Sequence, residues 1–422
     1  MTLLALLSDA YGAGGGIAKV NRDLLDVLAS HEAVDRVRVL SRVPASGDPM
    51  LPAGVELDET ASGGAAAFIT SVAKAAVQGD YDGVICGHLH LVPLAALAAG
   101  RAGVPWVLIV HGVEVWGPPH WPATQGRLAQ AVTQRALGSV DRVVSVSALT
   151  RDRLAARFGI PAERIIVVPN SVDLADYGPG PARPDLLARY GLEGKTILMT
   201  LARLSPSERY KGVDEVIEAL PTLAQGTPEI AYLVCGGGDD RQRLEAKAAA
   251  LGVAERVVFA GYVPEEEKAD HYRLADAFVM PGRGEGFGIV YLEALACGVP
   301  AVASSADASR EAVRGGTLGV VVDPADQASV VSGIRDALGR EKGVPDGLDH
   351  FSQERFAERW HTVVDQVFVR QPVVGAVGSP SASARWRPAP PASLNENACA
   401  GTSRRGTVFA ALVRPLSFLT CA

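Results

Sequence analysis

Short, uninterrupted apolar runs recur along this chain with helical patterns between them, and the whole alternation occurs twice. In the first half, residues 2–8, 37–41, 83–87, 106–112, 142–147 and 164–170 read as strands. Runs without polar alternation belong to strands covered on both faces, which is the condition of a parallel sheet. Stretches such as 17–31 place apolar residues at helical spacing between them. After a Gly- and Pro-dense stretch near 177–195 the pattern restarts, with strands at 196–203, 231–237, 256–263, 276–282, 300–305 and 319–323. Helical patterns at 213–225 and 239–252 fall between these. The expectation is α/β: two doubly wound, Rossmann-like parallel-sheet domains in tandem. The boundaries are 1–175 for the first domain, 176–194 for the linker and 195–350 for the second. An amphipathic helix at 351–369 is expected to pack back on the first domain.

A chain of 422 residues is long enough for two such cores. Its net charge of −7 argues against a nucleic-acid partner. The five cysteines stand singly, without metal-ligand spacing, which fits a reducing cytoplasmic compartment. The apolar start, 2–8, lacks a basic flank and meets Asp9 too soon for a signal peptide. No run reaches the roughly 18 residues of a membrane span. Residues 371–422 are rich in Pro, Ala, Ser and Gly and are expected to be disordered. The alternative for that tail is peripheral membrane contact, because Arg404, Arg405 and Arg414 flank an apolar stretch. The tail is expected to be dispensable for activity.

Open α/β sheets bind ligands beyond the carboxyl ends of their strands. One such end carries GRGEGFGIVYLEALACGVP (282–300), where Glu285 sits in a glycine loop and Glu293 on the helix that follows. A helix start favours phosphate, glycines admit close approach, and carboxylates accept from paired hydroxyls. Taken alone, Glu285 reads equally as a solvated loop acid and Glu293 as an ordinary helix residue. A second end carries Arg203 and Lys211, two cations able to neutralise a diphosphate or merely to decorate a loop. Asp239 and Asp240 read as a helix start rather than a metal pair. The loop GAGGGI (12–17) lacks the third small residue of a dinucleotide fingerprint, and the second strand has no acid for a ribose.

The Arg–Lys pair eight apart and the two glutamates closely resemble the retaining glycosyltransferases of family 4. The stretches 9–25, 111–116, 145–154 and 169–173 are similar to that family as well, and the likeness covers about residues 1–368. It implies the GT-B fold, with two Rossmann-like domains facing across a cleft. It also implies sugar transfer from a nucleotide-diphosphate sugar to a hydroxyl acceptor with retention of configuration. The setting implied is polysaccharide or glycolipid assembly, with a carbohydrate or lipid-linked sugar as acceptor. By the resemblance, Arg203 and Lys211 bind the diphosphate and Glu285 contacts the transferred sugar beside the amides of Phe287 and Gly288. Glu293 holds the ribose, Gly236 and Gly237 flank the nucleotide, and Tyr262 and Val263 flank the base. Gly14, Gly15, Gly16 and His111 line the reacting centre from the first domain, although a strand-end histidine is as often structural. No cofactor and no metal are implied, since the two cations do a metal's work. The loop 112–128, with Trp116 and Trp121, reads as either an acceptor loop or an ordinary packed loop. A non-catalytic binding protein, or an epimerase or phosphorylase on the same architecture, remains the alternative.

Overall fold

The computed structural model describes residues 1–12, 14–116 and 126–369. The chain divides into two compact units. The first contains Met1–Ser145, Arg151–Val168 and the described residues from Ala357 on; the second contains Val146–Thr150 and Pro169–Phe356.

In the first unit, β1 (Thr2–Leu7), β2 (Arg36–Ser41), β3 (Val55–Leu57), β4 (Gly83–Cys86), β5 (Trp106–Val110), β6 (Arg142–Ser145) and β7 (Ile165–Val167) form one sheet. Its order is β3-β2-β1-β4-β5-β6-β7, and every neighbouring pair is parallel. The first-half apolar runs are all strands here. β3 was not among the expected strands, because three residues are too few to show a period. The burial is as parallel sheets require: Leu3 to Leu7, Val84 to Cys86 and Trp106 to Val110 are almost wholly inaccessible. Helices Ala65–Gln78 and Val92–Ala102 cover one face. From Ala357 on, the last helix (Gln353–Val367) belongs to this unit. Asp365 lies 3.3 Å from His31, and the Phe368 ring occupies the space that a side chain at Gly83 would fill.

In the second unit, β8 (Thr196–Leu201), β9 (Ile230–Cys235), β10 (Val257–Gly261), β11 (Ala277–Val279), β12 (Ala301–Ser304) and β13 (Val320–Val322) form a six-stranded sheet. The order β10-β9-β8-β11-β12-β13 is again parallel throughout. The order reverses direction between β8 and β11. All strands run the same way, so the loops after β10, β9, β8 and β11 emerge side by side on one edge in that order. The Gly- and Pro-dense stretch before β8 is not featureless: Pro184–Tyr190 is a helix with proline in its first turn. Proline is tolerated there because its missing N–H would have no helical partner anyway.

Candidate active site

The carboxyl edge of the second sheet gathers most of the expected site. β9 ends at Cys235, and Gly236 then donates its N–H to the Gly261 carbonyl at 2.7 Å. That bridge brings Gly236 and Gly237 beside Tyr262 and Val263. Gly236 has a φ of 130°, and a Cβ there would stand 1.9 Å from the Ala202 carbonyl oxygen, so only glycine fits. Val263 is buried, whereas the Tyr262 side chain is 75% exposed at this edge. An aromatic residue of that exposure next to glycine backbone offers a face for a flat ring.

β8 ends at Leu201 and leads to Arg203, which is half-exposed and paired with Glu208 at 2.6 Å. A short 3₁₀ segment, Pro206–Lys211, carries the chain from Arg203 to Lys211. Gly212 caps it, and helix Val213–Gly226 starts at the position the sequence pattern predicts. Lys211 does not decorate a surface loop: its Nζ donates to Glu285 Oε2 at 2.6 Å, and both side chains are four-fifths covered. Burial pulls the Lys211 ammonium down, yet the Glu285 charge and Tyr210 outweigh it and hold the pKa above its usual value. Lys211 is therefore a fixed positive charge at neutral pH.

The 3₁₀ segment is anchored from behind by a charge network. Arg209 Nη2 donates to Asp240 Oδ1 at 2.7 Å, Arg243 bridges Asp240 and Asp214, and Lys247 adds to Asp214 at 2.6 Å. Burial alone would raise the Asp214 pKa, but donation from Arg243 and Lys247 holds it at about 2. A depressed carboxylate stabilises the fold above its unfolded pKa of 3.8 and loses that contribution as pH falls towards 2. Asp214→Asn is accordingly expected to lower stability at pH 6 while flattening the acid limb between about pH 5 and pH 2. Paired thermal melts of the two proteins across that range check it.

The loop after β11 holds Glu285. Its shape is set by Asp307, a fully buried carboxylate that sequence reasoning missed. Asp307 Oδ2 accepts from the N–H of Gly284 at 3.0 Å and of Glu285 at 2.9 Å. Asp307 Oδ1 accepts from the Ser309 N–H and hydroxyl at 3.0 and 2.6 Å. Ser147 donates to the Gly286 carbonyl at 2.9 Å. Gly288 sits at φ 88°, where a Cβ would press 2.5 Å from the Tyr291 ring. Helix Ile289–Ala296 then starts where the sequence places it, its positive end beside the loop.

Glu293, on that helix, is 2% exposed. Tyr272 donates its hydroxyl to Glu293 Oε2 at 2.7 Å. Burial first, and then the Glu293 charge, push the Tyr272 phenol well above its normal pKa, so it stays a donor. Sequence reasoning placed Glu293 on the helix but not behind a tyrosine.

His111, Gly15 and Gly16 lie in the first unit. Gly15 and Gly16 open helix Gly16–Ser30 and are exposed. His111 follows β5, is 8% exposed, and holds the Gly87 carbonyl through Nε2 at 3.0 Å. A carbonyl only accepts, so Nε2 carries the proton. Glu114, wholly buried and also missed, accepts from the Gly112 N–H at 2.9 Å and from the His111 N–H. Burial, followed by His111 and Arg42, pushes the neighbouring His88 down to about 3, so it is neutral. Trp116 lies under the Arg153 guanidinium at 3.5 Å. Trp121 and most of the expected acceptor loop fall outside the described residues, as do residues 370–422. Among the described residues, no group of three or more His, Cys, Asp or Glu is arranged to hold a metal. No helix among them is long and apolar enough to cross a membrane.

Two family models match the chain: Glycosyltransferase Family 4 over residues 14–176 and Glycosyl transferases group 1 over residues 183–348. The GDP-mannose-dependent α-(1-6)-phosphatidylinositol monomannoside mannosyltransferase of Mycolicibacterium smegmatis is 39% identical over 257 residues. That alignment covers 58% of this chain and 65% of the relative, a little under two thirds of its length. The phosphatidyl-myo-inositol mannosyltransferase of Mycobacterium leprae is 30% identical over 390 residues, covering 88% of this chain and 96% of the relative. The D-inositol 3-phosphate glycosyltransferase 1 of Catenulispora acidiphila is 32% identical, with 72% and 75% covered. Among solved structures, sucrose-phosphate synthase from Thermosynechococcus elongatus matches with a TM-score of 0.68 at 20% identity, over 87% of this chain and 99% of that one. The Anabaena protein HepE, in complex with UDP, matches at 0.61 and 22%, over 87% and 96%. Structures this distant in sequence show the fold alone, which is GT-B.

Proposed function

Because the chain belongs to the retaining glycosyltransferases of family 4, we propose that the carboxyl edge of its second sheet binds GDP-mannose and that an inositol-containing glycolipid accepts the mannose. One observation carries the donor reading: four adjacent strand ends present, in order, an exposed tyrosine beside glycine backbone, an arginine, and a lysine–glutamate pair ahead of a helix start. A nucleotide sugar laid along that edge meets Tyr262, Val263, Gly236 and Gly237 with its base. Its diphosphate meets Arg203, Lys211 and the amides of Phe287 and Gly288, and its sugar meets Glu285. For the ribose to reach Glu293, it shares the carboxylate with Tyr272 or displaces that hydroxyl.

In this reading Lys211 and Arg203 supply positive charge to stabilise the negative charge that develops on the leaving diphosphate as the sugar–phosphate bond breaks. That Lys211 is already oriented by Glu285 means little reorganisation at the moment of reaction. Glu285, neutralised by Lys211, is a positioning acceptor for sugar hydroxyls. Retention then follows from attack by the acceptor hydroxyl on the face the departing diphosphate vacates, the hydroxyl proton passing to that leaving diphosphate, with positioning as the main contribution. No metal is required by this chemistry.

GDP-mannose as donor and an inositol lipid as acceptor are supported by what the M. smegmatis and M. leprae relatives are named for. Isothermal titration of GDP, UDP and ADP with EDTA present tests the donor. GDP is expected to bind at least tenfold more tightly than the other two. Equal or absent binding of all three would remove the proposed base preference and, in the second case, the donor site itself.

A further inference from the structure

The second unit also holds a cavity of about 580 Å³ that the reading above does not use. That volume lies within the range of small-ligand pockets. Arg310 and Arg314 stand on its wall, and the rings of Phe287 and Phe351 form an apolar floor, stacked edge-on at 5.6 Å. His350 completes the rim, its ring 4.8 Å from that of Phe351. The one acid in the wall, Glu311, is already committed: its two oxygens accept from the N–H groups of Ala148 and Leu149, each at 2.8 Å.

The two arginines contrast with their surroundings. Elsewhere in this unit Arg183, Arg203, Arg209, Arg243, Arg273 and Arg283 are ion-paired. Arg310 and Arg314 form no ion pair and no side-chain hydrogen bond among the described residues. Arg314 is moreover the single non-glycine residue among them with positive φ, at 46°. That conformation costs a residue with a Cβ free energy, and such costs persist where the surroundings enforce them. Its Nη1 lies beside Gly347, 3.0 Å from where a Cβ would be, and both arginines are exposed to solvent. The cavity thus has two solvent-facing guanidinium groups without an ion pair, no free acid, and the edges of two otherwise buried phenylalanine rings.

We propose that this cavity is a second ligand site, for a phosphate monoester or diester whose organic part packs on Phe287 and Phe351. Guanidinium forks match phosphate oxygens in pairs, which is why arginine rather than lysine suits the role. Phe287 belongs to the loop that carries Glu285, so occupancy would stiffen that loop. The same phosphate chemistry could arrive on a soluble metabolite or on a phosphoinositide headgroup. The proposal does not rest on which nucleotide the donor edge binds.

The test is arginine modification of the full chain by phenylglyoxal, read residue by residue by mass spectrometry in the presence of saturating GDP. Glycerol phosphate at millimolar concentration is expected to protect Arg310 and Arg314 at least threefold. Protection by glycerol phosphate and inorganic phosphate identifies a soluble ligand. Protection only by phosphatidylcholine vesicles carrying phosphatidylinositol, and not by phosphatidylcholine alone, identifies a headgroup. In the double variant Arg310→Ala, Arg314→Ala, binding of the protecting probe is expected to weaken at least tenfold with GDP affinity unchanged. Free labelling of both arginines under every condition overturns the proposal. GDP protection of Arg203 in the same digest reports the donor edge separately, so either reading can fail without the other.

Discussion

Lys211→Ala is expected to reduce sugar transfer by about two to three orders of magnitude, the range seen when one preorganised donor to developing charge is removed. GDP affinity should fall with it, by roughly ten- to a hundredfold, since a charge-assisted contact contributes about 1.5–3 kcal/mol. Both effects have the same origin. The Lys211 ammonium is held in place by Glu285 at 2.6 Å before any ligand arrives. Removing it deletes the charge that faces the diphosphate and leaves Glu285, with 17% of its side chain exposed, without its cation. Lys211→Arg is the informative companion. It restores charge but not the compact reach to Glu285, so nucleotide affinity should recover further than turnover. Titration and initial rates on the same preparations check this, with circular dichroism to establish that each variant is folded. An alanine variant with normal turnover would remove Lys211 from the mechanism.

Asp307→Asn should lower turnover more than nucleotide affinity. Asp307 touches no ligand in the proposed arrangement, yet its two oxygens accept four hydrogen bonds, two of them from the backbone of the Glu285 loop. Burial pushes its pKa up, and the Ser309 hydroxyl and the loop N–H groups oppose that. An asparagine has one acceptor oxygen in place of two, so one pair of donors must face an NH₂ group. Hydrogen bonds to a charged acceptor are worth about 1.5–3 kcal/mol each, so a loss of roughly 2–5 kcal/mol in stability is expected. The loop would shift, and displacement by about 1 Å at a reacting centre can cost roughly a hundredfold in rate. GDP affinity depends on Lys211, Arg203 and the base-binding backbone as well as on the Phe287 and Gly288 amides of this loop, so it should fall by a clearly smaller factor than the rate. Ser309→Ala, which removes one of the four donors, should fall between wild type and Asp307→Asn in both stability and rate. A fall in kcat and GDP affinity by the same factor would show general unfolding instead of a displaced loop.

These two residues mark the border of what the sequence discloses. Lys211 was singled out from its place just before a helix start, although spacing alone left it equally able to decorate a loop. The start of the helix at Ile289 and the glycines before it were legible for the same local reason. Asp307 was not. It acts on a loop 22 residues earlier in the chain, through a contact that exists only once β11 and β12 lie side by side. The pattern D-x-S at 307–309 signals a local cap, and it gives no hint of the second oxygen's partners. Glu293 shows another limit. Its position on the helix follows from spacing, whereas its burial behind Tyr272 depends on a helix contributed from before β11. Arg203 was read as an open cation, and its pairing with Glu208 follows from the 3₁₀ turn, whose hydrogen-bond pattern has no strong signature in composition. In the first unit, the stretch 111–116 stood out, but only the fold shows that Glu114 within it ties the His111 backbone in place.

The central claim is that this chain moves mannose from GDP-mannose with retention, using the edge that holds Lys211 and Glu285. The most direct measurement is ¹³C NMR of a reaction containing the full chain, GDP-[1-¹³C]mannose, a phosphatidylinositol mannoside acceptor and EDTA. The expected spectrum gains one new anomeric signal with the one-bond coupling of an α-linked mannoside, as GDP is released in equal amount. A β-linked product, or intact GDP-mannose in the presence of demonstrated GDP binding and acceptor, would contradict it.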